Sequence, residues 1–428
     1  MVAVGLLLRF IVMGFAYEIP LDPARDHFSF AYEMGRVARS IATGQGFSSP
    51  YPEPTGPTAA QAPLYPYLLA GVFRLFGIYS TASAIVMLSL NHIFSALTCV
   101  PLFLIARRVI GSRVAVWVGW TWAFFPYAIS ISSRWIWETS LTTLLLTWLV
   151  LMTLRLEQTR RLAPWLGYGA LWGLACLSNP SVLSSLPFLC AWLWFRHWRR
   201  GTNCTGPMLA SAMLFLAIVS IWLVRDYRTF GEFVFFRDNF PLEFHLGNNE
   251  DSSKPKAIAL NPAANPAESE KIRRIGEMAY MKEKRQLMRD FLSQQPGRFV
   301  WLTLRRILLT WTGVWSGQIR WVVNSEQGVP NIFFCSLLSL LAFWGLGRAM
   351  KDGLWGAVPL MIVMLCFPLV FYVTHPSIRY RHPIDPQVAL FAVYGAAGIF
   401  RRRDSAPQLQ VADEAQLSEE AEVEPVCR

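Results

Sequence analysis

The strongest constraint on this chain is a series of long apolar runs separated by short polar connections. A helix needs about 20 mostly apolar residues to cross a bilayer. Hydrophobic residues make up 54% of the chain and charged residues only 16%, whereas soluble domains carry about a quarter charged residues. The sequence therefore predicts an all-α polytopic membrane protein with about ten transmembrane helices, at 1–18, 81–105, 114–131, 139–154, 164–178, 181–195, 207–224, 331–347, 354–374 and 384–400.

One pair of these runs allows two interpretations. The segments 164–178 and 181–195 are short and flank a Ser178-Asn179-Pro180 hinge. The sequence fits two full spans or a re-entrant hairpin, and leaves both open.

Basic residues mark every second connection between the apolar runs. Short cytoplasmic loops collect Lys and Arg, which predicts that these connections and both termini are cytoplasmic. The connections 19–80, 132–138, 225–330 and 375–383 and the turn at Asn179 then face outward. The same pattern accounts for most of the formal net charge of +11, and nothing indicates a nucleic-acid partner. The basic residues are Arg107, Arg108, Arg113, Arg155, Arg160, Arg161, Arg196, Arg199, Arg200, Arg348, Lys351, Arg401, Arg402 and Arg403.

The runs and connections divide the chain into four parts. A transmembrane module at 1–224 includes the first outward loop, 19–80, and is followed by an extracytoplasmic region at 225–330. C-terminal transmembrane helices occupy 331–403. The acidic segment 404–428 is typical of a disordered cytoplasmic tail.

The extracytoplasmic region is predicted to be small and mixed. Its first part, at 231–239, alternates like a strand. Glu268–Leu292 has the spacing of one polar helix. Arg298–Trp315 is apolar, but Arg305 and Arg306 would each cost about 2.5 to 3.5 kcal/mol at the bilayer centre, which favours an interfacial helix.

The first outward loop is predicted to contain two interfacial helices. The stretch from Asp26 to Ala42 repeats apolar residues at helical spacing. Gly44-Gln45-Gly46 favours a turn, a proline-rich connector follows, and Leu64–Phe76 resumes a helical pattern. The loop is therefore an ordered outward platform.

Two carboxylates lie next to predicted spans, and the residues alone leave their roles open. Asp26 follows the first span and suits either a general base raised in pKa by desolvation or a helix N-cap. Glu138 heads the fourth span and suits either a functional carboxylate or an ion pair with Arg134 at i, i+4.

Several segments, in their order and outward placement, resemble the GT-C superfamily of polyprenyl-phosphate-sugar glycosyltransferases. The likeness is to the branch that includes protein O-mannosyltransferases and the bacterial aminoarabinose transferase of lipid A, and it covers about residues 1–400. The matching residues are Asp26 with Tyr32, the turn Thr43-Gly44-Gln45-Gly46-Phe47, the segment Ala62-Pro63-Leu64-Tyr65-Pro66, Glu138, Arg225-Asp226-Tyr227, Gly247-Asn248-Asn249 and Arg379-Tyr380-Arg381.

This resemblance implies transfer of a sugar from a polyprenyl-phosphate donor to a glycan, lipid or protein acceptor, with inversion. Such an enzyme needs a base for the acceptor and positive charge for the departing phosphate. We expect Asp26 and Glu138 to be catalytic, with Asp26 as base. The expected phosphate ligands are Arg379 and Arg381, with Arg134 and Arg225 in reserve, and the expected pocket residues are His27, Tyr32, Tyr65 and Tyr380. Interfacial snorkelling is the alternative role for Arg379 and Arg381.

The sequence departs from the family in one place, since His27 follows Asp26 where relatives often carry an adjacent acidic pair. Asp26 must then act alone or with Glu138, and we expect the loops that carry Asp26, Glu138 and Arg379 to meet above one cavity. No metal-ligand spacing is present, so no cofactor is firmly implied, although a divalent cation on Asp26, His27 and Glu138 is an alternative.

The expected location is the bacterial inner (plasma) membrane, with the active site extracytoplasmic. Two other functions share this topology: a flippase or transporter of lipid-linked sugars, and a polysaccharide polymerase or ligase. Transporters place their charges near the midplane and often show repeated halves, whereas the charges here lie in outward loops.

Overall fold

The computed structural model describes residues 1–16, 30–249, 258–313 and 329–400. Regular structure in these ranges is helical, and the one β contact there is an isolated antiparallel bridge between Ser48 and Pro57. Short 3-10 helices occur at Pro180–Ser185, Ile258–Leu260, Trp355–Ala357 and His382–Ile384. The α-helices are α1 (Val2–Ala16), α2 (Tyr32–Ala42), α3 (Leu64–Phe76), α4 (Thr81–Leu97), α5 (Cys99–Val109), α6 (Ser112–Ala123), α7 (Pro126–Arg134), α8 (Thr139–Leu156), α9 (Leu162–Ser178), α10 (Leu186–Arg199), α11 (Thr205–Phe230), α12 (Phe240–Gly247), α13 (Pro266–Ile275), α14 (Glu277–Gln294), α15 (Pro296–Thr312), α16 (Val329–Lys351), α17 (Val358–Cys366), α18 (Leu369–Val373), α19 (Ile378–Arg381) and α20 (Asp385–Phe400).

Six helical stretches in the described ranges are long and apolar enough to cross a bilayer. The all-α prediction is confirmed for these ranges, and the chain is a multi-pass membrane protein. The other predicted spans coincide with the shorter helices α1, α9, α10 and α20. The six are Thr81–Val109, Ser112–Arg134, Thr139–Leu156, Thr205–Phe230, Asn331–Lys351 and Trp355–Val373.

The helices form one large apolar core and a smaller one around α2, α3 and α4. The large core joins the helices from α5 to α10 with those from α16 to α20. Where α16 meets α20, a Cβ added to Gly345 would lie 1.8 Å from the carbonyl oxygen of Phe391. These two helices therefore pack backbone against backbone, as small residues allow in membrane proteins.

The smaller core belongs to the first outward loop. Met34, Val37, Ala38 and Ile41 of α2 are buried there against α3 and α4, so the amphipathic spacing of α2 is confirmed. Ile136 and Trp137, from the connection between α7 and α8, complete this core. The platform therefore rests directly on the second outward connection.

The predicted strand at 231–239 is wrong. This segment is irregular, and Phe236 has a positive φ of 64° that an extended strand cannot contain. The segment pairs with the first outward loop, because the backbone N–H of Asp238 donates to the carbonyl of Ala59 at 3.2 Å. The described part of 225–330 is thus helical and irregular, not mixed α and β.

The single polar helix predicted at Glu268–Leu292 is two helices. Gly276 separates α13 from α14 with φ of 83°, a left-handed conformation that ends a helix and that glycine adopts at low cost. The helix predicted at Arg298–Trp315 is α15, and Arg306 in its middle is buried. The tail 404–428 lies outside the described residues.

Candidate functional site

Two of the three loops expected to converge meet in direct contact. The guanidinium carbon of Arg379, in α19, lies 3.6 Å from the ring centre of Trp137. Trp137 belongs to the core of the first outward loop. Asp26 and His27 lie outside the described residues, so the placement of those two side chains stays a prediction.

Glu138 occupies the N-cap position of α8, directly after Trp137. Its side chain makes no capping hydrogen bond, and the buried Oε2 atom has no hydrogen-bond partner among the residues described. A buried carboxylate oxygen without a partner is costly unless a nearby charge or a ligand compensates. The nearby charge is Arg379, with which Glu138 interacts electrostatically.

Arg379 is held by aromatic rings. Its Nη2 atom donates to the hydroxyl of Tyr380 at 3.3 Å, and its guanidinium lies over the rings of Trp137 and Tyr380, at 3.6 Å and 5.0 Å. Burial lowers the pKa of Arg379, but Tyr380, Glu138 and Glu33 raise it, and the net direction is upward. The side chain is therefore a permanent cation whose other N–H groups can receive phosphate oxygens.

Tyr65 connects the platform to the same place. Its hydroxyl donates to Asn91 Oδ1 at 3.2 Å, and Asn91 Nδ2 donates to the carbonyl of Trp135 at 3.0 Å. Burial raises the pKa of Tyr65, the Asn91 hydrogen bond lowers it, and Glu138 raises it further. Glu138 therefore lies within electrostatic reach of both Tyr65, from the first loop, and Arg379.

Tyr380 and Arg381 make different contacts. The Tyr380 ring stacks on Phe371 with centroids 4.4 Å apart and planes 10° apart. Arg381 is only 3% exposed and forms an ion pair with Asp385, Nε to Oδ1, at 2.9 Å. Arg381 is thus held by Asp385, whereas Arg379 lies against Trp137, where the two loops meet.

Arg225 is also bound to backbone. It donates to the carbonyls of Thr58 at 2.8 Å and Phe47 at 2.9 Å, and it pairs with Asp226. This arginine fastens the end of α11 to the first outward loop. Arg134, in contrast, is exposed at the end of α7.

Tyr32, at the start of α2, contacts a residue of the region 225–330. Its hydroxyl donates to the carbonyl of Ala263 at 2.6 Å, and the guanidinium of Arg36 lies 4.4 Å from its ring centre. Tyr32 therefore links α2 to the region 225–330.

A buried carboxyl pair, Asp238 and Glu277, has no counterpart in the sequence predictions. These side chains are 7% and 4% exposed, and Glu277 Oε1 accepts from the N–H of Ala59 at 2.6 Å. Burial raises the pKa of both groups, and Glu277 raises that of Asp238 further. The neutral, protonated form of each carboxyl is therefore favoured at this place. No sequence signal could have found the pair, because the fold brings the irregular segment 231–239, with Asp238, to the start of α14, with Glu277.

The described parts of the chain contain no cluster of possible metal ligands. Within those ranges no group of three or more His, Cys, Asp or Glu side chains could hold a metal ion. The alternative cation site on Asp26, His27 and Glu138 includes two residues outside those ranges.

Comparisons with known proteins give a family match over part of the chain and a similar fold. Residues 60–224 match the family described as dolichyl-phosphate-mannose-protein mannosyltransferase. The fold is similar to that of the oligosaccharyltransferase AglB from Archaeoglobus fulgidus, solved with an inhibitory peptide and a dolichol-phosphate, at a TM-score of 0.52 and 14% identity over 98% of this chain and 54% of that chain. The apo form of the same organism's oligosaccharyltransferase gives a TM-score of 0.53 and 15% identity over 97% and 53%.

A third solved structure is ArnT from Cupriavidus metallidurans bound to undecaprenyl phosphate. It gives a TM-score of 0.39 and 13% identity over 92% of this chain and 76% of that chain. No curated protein matches the sequence of this chain. The chain spans about half the length of the oligosaccharyltransferases, with 54% of AglB covered, and these low identities show a shared fold alone.

The helical membrane fold is shared with these oligosaccharyltransferases. The family match covers residues 60–224, which is less than half of the chain. Over those residues the match confirms the resemblance that the sequence shows to glycosyltransferases of this class.

Proposed function

We propose that this chain transfers a sugar from a polyprenyl-phosphate donor to a glycan, lipid or protein acceptor on the extracytoplasmic face, with inversion. The observation that carries the proposal is the position of Arg379, over Trp137 at 3.6 Å and within electrostatic reach of Glu138. A fixed cation near a carboxylate whose Oε2 atom accepts no hydrogen bond among the described residues suits a reaction in which one group receives a phosphate and another a proton.

Arg379 is the group proposed to bind the donor phosphate. As the bond between sugar and phosphate breaks, negative charge grows on the leaving phosphate, and a guanidinium held in place stabilises that charge without reorganisation. Its planar fork is fixed by Trp137 and Tyr380. Arg381 and Arg225 contribute indirectly in this mechanism, since their N–H groups already bind Asp385 and the first-loop carbonyls. Arg134 is a second ligand at the exposed rim.

Asp26 is the proposed base, and Glu138 is the carboxylate that assists it. The acceptor hydroxyl loses its proton to the base while its oxygen attacks the anomeric carbon opposite the phosphate, which inverts that centre. Tyr65 supports the second outward connection through Asn91, and Tyr380 aligns Arg379. His27 and Tyr32 complete the proposed pocket on the first loop.

The proposed topology has ten crossings, both termini in the cytoplasm and the site extracytoplasmic in a bacterial inner membrane. The proposed catalytic module is 1–224 with the loop 19–80. The region 225–330 covers it, 331–403 supplies Arg379, and 404–428 is a cytoplasmic tail. Reporter fusions at the basic connections and at 225–330 test this orientation, and an outward-facing basic connection would contradict it.

The decisive experiment uses purified protein in detergent with radiolabelled sugars on polyprenyl monophosphate and polyprenyl diphosphate. Transfer from the monophosphate donor, with no sealed compartment, is the expected result. Transfer only from the diphosphate would indicate a polymerase or ligase. No transfer in detergent, together with movement of labelled lipid across vesicles reconstituted with the purified protein, would indicate a flippase. Either outcome would overturn the proposal.

Side-chain substitutions then assign the roles. Asp26→Asn should abolish transfer, and Glu138→Gln should lower kcat about 100-fold or more, the range for a lost proton-transfer group. The matched control is Glu232→Gln, because Glu232 forms an exposed ion pair with Lys282 in the outward region. Full activity in Asp26→Asn would remove Asp26 from the mechanism, and full activity in Glu138→Gln would remove Glu138.

A further inference from the structure

The segment 240–249 contacts the turn that precedes Arg379. This segment comprises α12 and the Gly247-Asn248-Asn249 turn, and it packs against residues 372–375, which we call the 372–375 turn. Glu243 Oε2 lies 2.5 Å from His375 Nε2. The contact therefore joins the extracytoplasmic region to the part of the chain that carries the proposed phosphate ligand.

The backbones of the two elements touch directly at Gly247. A Cβ added at Gly247 would lie 1.9 Å from the carbonyl oxygen of Thr374, closer than any side chain allows. The neighbouring Asn248 donates from Nδ2 to the carbonyl of Val373 at 2.9 Å. The separation between the elements is thus set to within a fraction of an ångström.

Arg306 of α15 donates hydrogen bonds to both the segment 240–249 and the 372–375 turn. Its Nη2 donates to the carbonyl of Gly247 at 2.5 Å and to Asn248 Oδ1 at 2.9 Å. Its Nη1 donates to the carbonyls of Tyr372 at 3.3 Å and Val373 at 3.4 Å. One buried guanidinium therefore ties the segment 240–249 to the 372–375 turn.

The contact continues from the turn to Arg379 through aromatic rings. The His375 ring lies 5.3 Å from the Tyr380 ring, centroid to centroid, and the Tyr380 hydroxyl accepts the hydrogen bond from Arg379 at 3.3 Å. Arg379 makes no ion pair in the described part of the chain, so these packed rings fix its position.

We propose that Glu243 is a positioning residue for donor binding, which acts on Arg379 through His375 and Tyr380. This inference rests on the proposed function, since it assumes that Arg379 binds the donor phosphate. Glu243 holds His375 against Tyr380, and Tyr380 in turn holds the guanidinium over Trp137. The segment 240–249 thereby controls affinity for the lipid phosphate without touching it.

Glu243 is the informative site for substitution because it is accessible. Its side chain is 27% exposed, whereas the Arg306 residue is 3% exposed and its loss would leave several carbonyls unsatisfied. Glu243→Ala removes the contact with His375, and Glu243→Gln keeps an oxygen that can accept a hydrogen bond from it. Glu243→Asp keeps the charge but shortens the reach, and serves if the alanine variant unfolds.

The experiment measures binding of radiolabelled polyprenyl phosphate to the purified full chain in detergent, together with the donor and acceptor KM. A displacement of about 1 Å can cost about 100-fold in a positioned group, so Glu243→Ala should weaken lipid-phosphate binding about 10- to 100-fold. Glu243→Gln should recover most of the loss, and the acceptor KM should not change. The control Glu232→Ala should bind as the parent protein does.

The double variant Glu243→Ala with Arg379→Ala separates positioning from general destabilisation. It should bind no more weakly than Arg379→Ala alone, because Glu243 acts through Arg379. A further loss in the double variant, or parental binding in both Glu243→Ala and Glu243→Asp, would overturn the inference. Parental binding in Arg379→Ala would overturn the phosphate assignment of the proposed function itself, so the two failures are distinguishable.

Discussion

Gly247→Ala is the most direct perturbation of the fold around Arg379. The added Cβ would lie 1.9 Å from the Thr374 carbonyl oxygen, 2.8 Å from the Thr374 carbonyl carbon and 3.3 Å from His375 Cβ. Carbon atoms in contact normally lie about 3.5 to 4.0 Å apart. The segment 240–249 and the 372–375 turn must therefore separate by about 1 Å or more.

That separation has two measurable consequences. Inserting a methyl group into tight packing costs about 1 to 3 kcal/mol, and the hydrogen bond from Arg306 to the Gly247 carbonyl, at 2.5 Å, is strained as well. Arg379 moves with the turn, so we expect the donor kcat/KM to fall about 100-fold. The assays are thermal unfolding in detergent and transfer kinetics at varied donor concentration.

The matched control is Gly297→Ala in α15, where a Cβ would meet nothing within 4 Å. Replacing glycine at a compatible helical position stabilises by about 0.4 to 1 kcal/mol, and activity should be retained. If Gly247→Ala kept both the parental unfolding temperature and the parental donor kcat/KM, the backbone contact would not position Arg379, and the reasoning would fail.

Two further predictions concern buried charges. Burial raises the pKa of Asp238 well above its usual value and also raises that of Glu277. The folded state therefore binds more protons than the unfolded state. This pair stabilises the fold below about pH 4, and that stabilisation is lost as the pH rises through the folded pKa values. Asp238→Asn should flatten the dependence of the unfolding temperature on pH and raise that temperature at neutral pH, and an unchanged dependence would contradict the raised pKa of this pair. Arg381→Ala should lower the free energy of unfolding by about 3 to 5 kcal/mol, because Asp385 then stays buried without its arginine and with only His382 beside it. Arg379→Ala should stay folded and lose donor binding, so equal destabilisation of the two arginine variants would contradict their assigned roles.

The membrane character and much of the helical layout could be predicted from local pattern. Apolar runs long enough to span a bilayer, glycine turns and the amphipathic spacing of α2 depend on residues close together in sequence. α2, α3 and the six long spans appear where that pattern predicts them. The strand predicted at 231–239 was wrong because alternation cannot reveal a tertiary contact, here the bond between Asp238 and Ala59, that bends the chain.

The candidate site depends on distant partners, so the sequence could only propose its members. The two arginines of Arg379-Tyr380-Arg381 look equivalent in sequence. Three-dimensional packing gives them different roles, since Arg381 pairs with Asp385 and Arg379 lies over Trp137.

The sequence by itself determined that this chain crosses a membrane, forms helices and carries segments that resemble those of lipid-dependent glycosyltransferases, because hydrophobic length and short motifs are local properties. Only the tertiary structure decided which charged groups meet. Buried charges take the partner that the fold places beside them, as Glu277 raises the pKa of Asp238 and Glu243 contacts His375. The fold thereby assigns Arg379 its neighbours Trp137 and Glu138.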